Sequence, residues 1–354
     1  MNPTFINQTK LKNLALALGL SAFAAVGMTE RQQHLSLTKD TSDSVKKDTT
    51  KYVRYKDLPL KASQKFKYQT DEGTWMSLDI SPDGKNLVFD HMGDLYSIPA
   101  AGGKAQNITK GLAFDTHPRY SPDGKKLLFI SDRSGSDNVW MIDFEKKDTV
   151  QVTKDRDQNY EAADWTPDGN YIVFAKGRMN VQLWMVHKDG GGGVQLIDQP
   201  ATLKTIDPAV SPDGRYIYFS QRNGAWNYNA MFPQYQIGMY DRDNGKRTTI
   251  TSRYGSAFTP TISGDGKWLV YGSRFEDKTG LVLRDLISGD EKWLAYPVQR
   301  DDQESIATMG VLPSMTFTPD NQAVIASYGG KIYKIALNGG SPTPIPFTVD
   351  MDIE

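Results

Sequence analysis

Four arginines recur at one place in a repeating sequence. Arg133, Arg178, Arg222 and Arg274 each follow a Ser/Thr-x-Asp-Gly tetrapeptide by eleven or twelve residues. A guanidinium presents its donors in a rigid fork that matches a carboxylate or a phosphate. Four of them on one face predict a ring of binding groups for a carboxylate-rich or phosphorylated ligand. The same spacing equally fits arginines that each pin their own loop, with Asp132, Asp137, Glu276 or Asp277 as partners.

Between Arg222 and Gln236 the sequence inserts Trp226, Tyr228, Phe232 and Tyr235 among Asn, Gln and Ala, where the other repeats carry short polar loops. Long loops without a counterpart are usually functional. Aromatics interleaved with amides predict anchors for a protein partner, an attached catalytic domain or a carbohydrate. The alternative is that these side chains cover an edge and are buried.

Other chemistry is poorly represented. The chain has no cysteine, which excludes disulfides and thiolate chemistry, and its four histidines, His34, His91, His117 and His187, show no metal-ligand spacing. Asp132 and Asp137 lack the ligand spacing of a calcium loop. There is no Gly-x-Ser-x-Gly elbow. The run Gly190-Gly191-Gly192-Gly193 reads as a hairpin tip, because a phosphate cradle needs a strand, a patterned loop and a helix. No catalytic residue, metal or cofactor is expected. With 41 Lys+Arg against 42 Asp+Glu, no global field points to nucleic acid or an anionic membrane surface.

What must position these side chains is the repeat itself. Its marker reads Ser81-Pro82-Asp83-Gly84, Ser121-Pro122-Asp123-Gly124, Thr166-Pro167-Asp168-Gly169, Ser211-Pro212-Asp213-Gly214, Ser263-Gly264-Asp265-Gly266 and Thr318-Pro319-Asp320-Asn321, at spacings of 40, 45, 45, 52 and 55 residues. Proline presets φ, Asp accepts backbone hydrogen bonds, and Gly or Asn takes the left-handed conformation, so each copy predicts a hairpin turn. An apolar, β-branched or aromatic run follows each turn, as in Leu127-Leu128-Phe129-Ile130, and predicts a buried strand. Two further strands complete each unit. The period is that of a propeller blade, and the expected fold is all-β: a six-bladed propeller of four-stranded antiparallel blades.

The expected organisation is a signal peptide over 1–28, a polar linker over 29–65, the propeller over 66–347 and a tail over 348–354. Lys10 and Lys12 precede the apolar run Leu14-Ala15-Leu16-Ala17-Leu18-Gly19-Leu20 and the small residues Ala22, Ala24 and Ala25. This order predicts export to the periplasm or beyond, with no membrane span after signal removal. Lys65-Phe66-Lys67-Tyr68-Gln69-Thr70 alternates like a strand and is placed beside the first or last blade.

The succession of Ser-Pro-Asp-Gly, an apolar strand, Ser131-Asp132-Arg133-Ser134-Gly135 and Val139-Trp140-Met141-Ile142 resembles the TolB-type propeller repeat over about residues 75–347. That resemblance implies a partner-binding propeller. Residues 73–84 and 327–332 resemble the amino-terminal propeller of secreted bacterial amidohydrolase-family proteins. This implies a non-catalytic part, or a shortened relative, of such a hydrolase. The alternatives are a freestanding periplasmic TolB-like interaction protein and a hydrolase or lyase working in the propeller channel.

Overall fold

A computed structural model of the chain describes residues 64–224 and 231–353. The reading of 1–28 and nearly all of 29–65, together with Trp226 and Tyr228, lies outside the described residues.

Each marker folds as expected from its chemistry. In the second copy the Gly124 N–H donates to Ser121 O at 2.8 Å. Ser121 Oγ donates to Asp123 Oδ1 at 2.6 Å and accepts from the Lys126 N–H at 2.9 Å. Gly124 sits at φ 70°, a left-handed conformation that a side chain would strain. The turn hands the chain to strand Lys126–Ser131, whose faces are both covered, and Leu127, Leu128 and Phe129 are fully buried. The position of Phe129 recurs as Phe89, Phe174, Phe219 and Tyr271, all buried, and becomes Ala326 in the last copy. A strand covered on both sides demands this continuous apolar run.

Among the described residues these strands form six four-stranded antiparallel sheets. Blade one comprises Leu78–Ile80, Asn86–His91, Asp94–Pro99 and Gln106–Asn107, and blade two Asp115–Tyr120, Lys126–Ser131, Asn138–Asp143 and Asp148–Gln151. Blade three comprises Asn159–Trp165, Tyr171–Gly177, Gln182–His187 and Gly190–Gln195, and blade four Lys204–Val210, Tyr216–Arg222, Gln236–Asp241 and Lys246–Thr249. Blade five comprises Phe258–Ile262, Trp268–Phe275, Lys278–Asp285 and Glu291–Ala295, and blade six Thr316–Phe317, Ala323–Tyr328, Lys331–Ala336 and Thr343–Ile345. Each blade packs on the next, and the sixth packs on the first.

The turns interlock around this ring. Gly124 lies against Pro82, Gly169 against Pro122, Gly214 against Pro167, Gly266 against Pro212 and Gly84 against Pro319. The last of these contacts joins the sixth blade to the first in the same way as the others.

Three details differ from the sequence reading. The glycines at 190–193 are not a free hairpin tip; they form most of the strand Gly190–Gln195, whose register with Gln182–His187 shifts at a bulge. Glycine permits the positive φ values that the bulge uses, so the pattern that suggests a loop also suits an irregular edge. The fourth strand of blade one shrinks to Gln106–Asn107. Residues 348–353, read as a tail, lie in the strand Phe347–Ile353. That strand pairs antiparallel with Phe66–Thr70 and parallel with Gly103–Lys104, in a separate three-stranded sheet. Val349 and Met351 are buried there, which explains why so short a segment is ordered.

Candidate interaction face and axial channel

In every blade the connection between strands two and three emerges on the same side as the links between blades. That side is the loop face, and the Ser-Pro-Asp-Gly turns lie on the opposite, turn face. All four arginines belong to the loop face, yet each is engaged differently. Arg133 Nη2 pairs with Asp115 Oδ2 at 2.6 Å, its Nε donates to Ser131 Oγ, and its guanidinium lies over Phe129 and Trp140. Arg178 is exposed and reaches Asp157 at 3.4 Å. Arg222 is buried and donates to the carbonyls of Gln303 and Ser305 at 3.1 and 3.3 Å. Arg274 pairs with Asp301 and Glu304 and lies 4.9 Å from the centre of the Phe232 ring. The partner carboxylates are therefore Asp115, Asp157, Asp301 and Glu304, not the loop neighbours suggested by sequence. Equal spacing along the chain does not bring the four guanidinium groups to one ligand.

The blade-four insertion is also partly internal. Tyr235 is fully buried, beneath the Arg222 guanidinium at 5.5 Å, so it is a core residue and not a surface anchor. Phe232 is half-buried against Arg274. Large rings beside a long loop gain more from burial than from exposure.

The feature that sequence reasoning missed is the link between blades five and six. Residues 297–313 form a strap running across the loop-face end of the axial channel. Its Asp301 side chain is fully buried, held by Arg274, Thr279 Oγ1 and Gln303 Nε2. Arg222 of blade four holds its next carbonyls. The Met309 carbonyl accepts from Trp75 Nε1 at 3.1 Å and contacts His117 Nε2 of blade two at 3.2 Å. The Gly310 N–H donates to Ala307 O at 3.0 Å and faces Glu161 of blade three, and the Leu312 N–H donates to Thr259 Oγ1 of blade five. Ala307, Val311 and Leu312 of the strap are themselves buried. The only sequence signal is length, because the 55-residue spacing that spans this link is the longest between turns.

Below the strap, bulges in the innermost strands aim polar side chains inward. His117, Asp207 and Thr259 occupy the same place in their blades, each with positive φ and each followed by proline. Asp207 accepts from Ser220 Oγ at 2.9 Å and Thr259 Oγ1 at 3.3 Å, and burial pushes its carboxyl up to about 6. Burial, then the neighbouring Asp207 charge, holds Glu161 well above the usual carboxylate range. Burial and Arg119 depress His117 to about 4, so its ring is neutral at physiological pH.

The channel opens on the turn face as a well of about 390 Å³. Its floor carries Asp79, Arg119 and Asp164 at equivalent positions of three blades. The two carboxylates are spoken for: Asp79 accepts from the Tyr120 and Ile80 N–H groups, and Asp164 from those of Val210 and Trp165. Each joins one blade to another. Among the described residues, no three His, Asp or Glu side chains are arranged to hold a metal ion.

Exposed apolar side chains distinguish the two faces. The loop face carries Met92, Phe114, Met179, Met231, Tyr254, Phe275, Tyr296 and, on the strap, Ile306. The turn face carries Tyr171, Phe144 and Ile287. Among the described residues, eight against three marks the loop face as the stickier surface. On its blade-five sector Phe275, Trp293 and Tyr296 touch one another, with ring centres 5.3 to 6.4 Å apart.

Comparison with known proteins agrees with this architecture. An uncharacterized protein of Agrobacterium fabrum is 25% identical over 201 residues, covering 54% of this chain and 67% of its own length. Dipeptidyl-peptidase 5 of Porphyromonas gingivalis is 28% identical over 125 residues, which are 30% of this chain and 18% of the peptidase. The Tol-Pal system protein TolB of Anaeromyxobacter dehalogenans is 32% identical over 101 residues, 28% of this chain and 23% of that protein. The chain thus spans less than a quarter of the peptidase and of that TolB. Among solved structures, TolB from Acinetobacter baumannii superposes with a TM-score of 0.54 at 16% identity, over 77% of this chain and 65% of that one, a likeness of fold. The TolB beta propeller domain model matches residues 52–233, about half of the chain, and the protein belongs to that family.

Proposed function

We propose that this chain is an exported, non-catalytic propeller that docks a protein partner, or an attached catalytic domain, on its loop face. The observation that carries the reading is the concentration of exposed apolar side chains on that face, around a strap that fills the central opening. Aromatic side chains and arginine dominate interface energies, and Phe275, Trp293 and Tyr296 beside Arg253 offer that composition in one place. Kinship to TolB proteins supports a protein partner and a periplasmic location. The resemblance of residues 73–84 and 327–332 to propellers that precede amidohydrolase domains supports a hydrolase as the attached or associated partner. In this reading the aromatic insertion between Arg222 and Gln236 supplies further anchors: Trp226 and Tyr228 by their residue type, and Phe232, which lies against Arg274.

Capture from a cell-envelope extract of the source organism tests it. Phe275→Glu with Tyr254→Glu should abolish retention of whatever the native chain holds, whereas the turn-face control Ile287→Glu should leave retention unchanged. Equal loss from both, or from the control alone, would move the docking surface off the loop face.

A further inference from the structure

The strap closes one end of the channel, yet what lies beneath it is not the apolar filling expected of a permanent plug. Where residues 309–310 cross the axis they rest on Glu161 and Asp207. Both carboxyls are buried, and Glu161 Oε2 has no hydrogen-bond partner among the described residues. A Cβ at position 310 would stand 3.0 Å from Asp207 Oδ1, so the strap backbone sits directly against the acid pair, where only glycine leaves room.

The groups around this pair do not neutralise it. Blade two contributes His117, which is neutral, and Arg119, whose charge offsets only a small part of the burial of Asp207 while its guanidinium pairs with Asp79 and donates to the carbonyls of Leu78 and Met315. Blade four contributes Arg222, which is committed to the strap carbonyls, and Tyr235. Blade one contributes Asp90, which is bound to Thr116 and the His117 N–H. From the strap the Gly310 N–H faces Glu161, while the strap's own cation, Arg300, is exposed to solvent. Two ionised carboxylates side by side in this buried space would repel each other, and opening to solvent relieves the repulsion.

We infer that the 297–313 strap is a proton-operated lid on the axial channel, latched while Glu161 and Asp207 hold a proton between them and released when that proton passes to solvent. Burial acts in this direction on both groups, since it raises Asp207 to about 6 and holds Glu161 well above its ordinary value. The closed state binds more protons than the open one, so raising the pH favours opening. Release would expose the acid pair to solvent on the loop face, above the layer of Asp79, Arg119 and Asp164 that floors the turn-face well. The inference does not depend on the docking reading, because it concerns the channel axis and not the apolar rim.

The absence of native cysteine allows a direct test. Val311→Cys places a thiol under the strap, and Ile306→Cys places one on its exposed side. The ratio of their alkylation rates cancels the thiolate's own dependence on pH. Between about pH 6 and about pH 8.5 this ratio should rise, by up to ~10-fold per pH unit if one proton operates the lid. In a Glu161→Gln background, which mimics the protonated acid, the ratio should stay low and flat. Should that variant fail to fold, Asp207→Asn serves instead, since Asn accepts the positive φ at this position. A ratio that does not change with pH in the parent, or a rise that persists in the amide variant, overturns the proposal.

Discussion

The Gly264 N–H donates to Asn321 Oδ1 at 2.7 Å across the seam between blades five and six. At every other seam a turn proline packs on the glycine of the following blade's turn. Here the proline is replaced by glycine and the glycine by asparagine, so a hydrogen bond that proline could not donate stands in for a packing contact. Gly264→Pro alone should destabilise, because its ring would meet Asn321 Oδ1, which stands 3.2 Å from the Cβ position. Adding Asn321→Gly should restore the regular seam. A double-mutant cycle on urea midpoints should give a coupling of about 1 kcal/mol, and strict additivity would show that the two residues act independently.

Backbone geometry predicts a contrast within blade two. Gly124→Val places a β-branched residue at φ 70° and should cost about 2 kcal/mol in a thermal melt. Asp123→Pro should be at least as harmful, since it removes the carboxylate bonded to Ser121 and the Lys125 N–H. Read from sequence, Arg133→Ala would test mainly function, with pinning of its own loop as the other reading. The 2.6 Å pair with buried Asp115 changes that expectation: the lone carboxylate should cost about 2 kcal/mol, and Asp115→Asn in the same chain should recover part of the loss.

The four aromatics of blade four should separate in the same assay. Tyr235→Ala empties a fully buried site and should lower stability by about 3 kcal/mol or more. Trp226→Ala with Tyr228→Ala should leave the melting point in place and cost about 2 kcal/mol of partner binding. Unchanged binding would remove these two from the docking surface.

Stability should rise as the solution is mildly acidified. Burial pushes Asp90 and Asp207 up to about 6 and Asp94 up to about 7, and raises Asp79, Asp164 and Glu161. For each of these groups the folded state holds a proton that the unfolded chain has already lost. Their contribution is complete below the unfolded value and disappears as pH climbs through the folded one. Asp83 and Asp143 are held down to about 2 by hydrogen bonds and act oppositely, losing their contribution in strong acid. Melting temperatures across a pH series should therefore peak near about pH 5 and fall towards about pH 8. A monotonic rise to neutrality would contradict the burial of these acids.

Export predicts a mass. The basic start, apolar run and small-residue exit should be removed on secretion, so intact mass of envelope-fraction protein should lack about the first two dozen residues. Retained Met1 would exclude cleavage.

The fold was legible because its code is local. Ser121, Pro122, Asp123 and Gly124 specify a turn among themselves, and six copies at blade spacing leave little choice of architecture. The site was legible only where chemistry is local too. Arg274 and Asp301 are far apart in sequence and meet through a link with no regular strand pattern, and Asp207 becomes a channel residue only through a bulge. The even spacing of the arginines records the repeat's geometry, while their partners lie elsewhere, Asp115 in the first strand of the same blade and Asp157, Asp301 and Glu304 in the links between blades.

The antiparallel pairing of Phe66 with Ile353 and Thr70 with Val349 also has a mechanical meaning. Both exits of the ring lie side by side at the Phe66–Ile353 end of one short ladder. Tension applied between them would load those hydrogen bonds one at a time, as in opening a zipper, and not all together, as in shearing two strands past each other. A force spectrometer pulling on the two ends should therefore record an early, low-force release of the Phe66–Thr70 and Phe347–Ile353 pair, followed by the much stiffer resistance of the six interlocked blades.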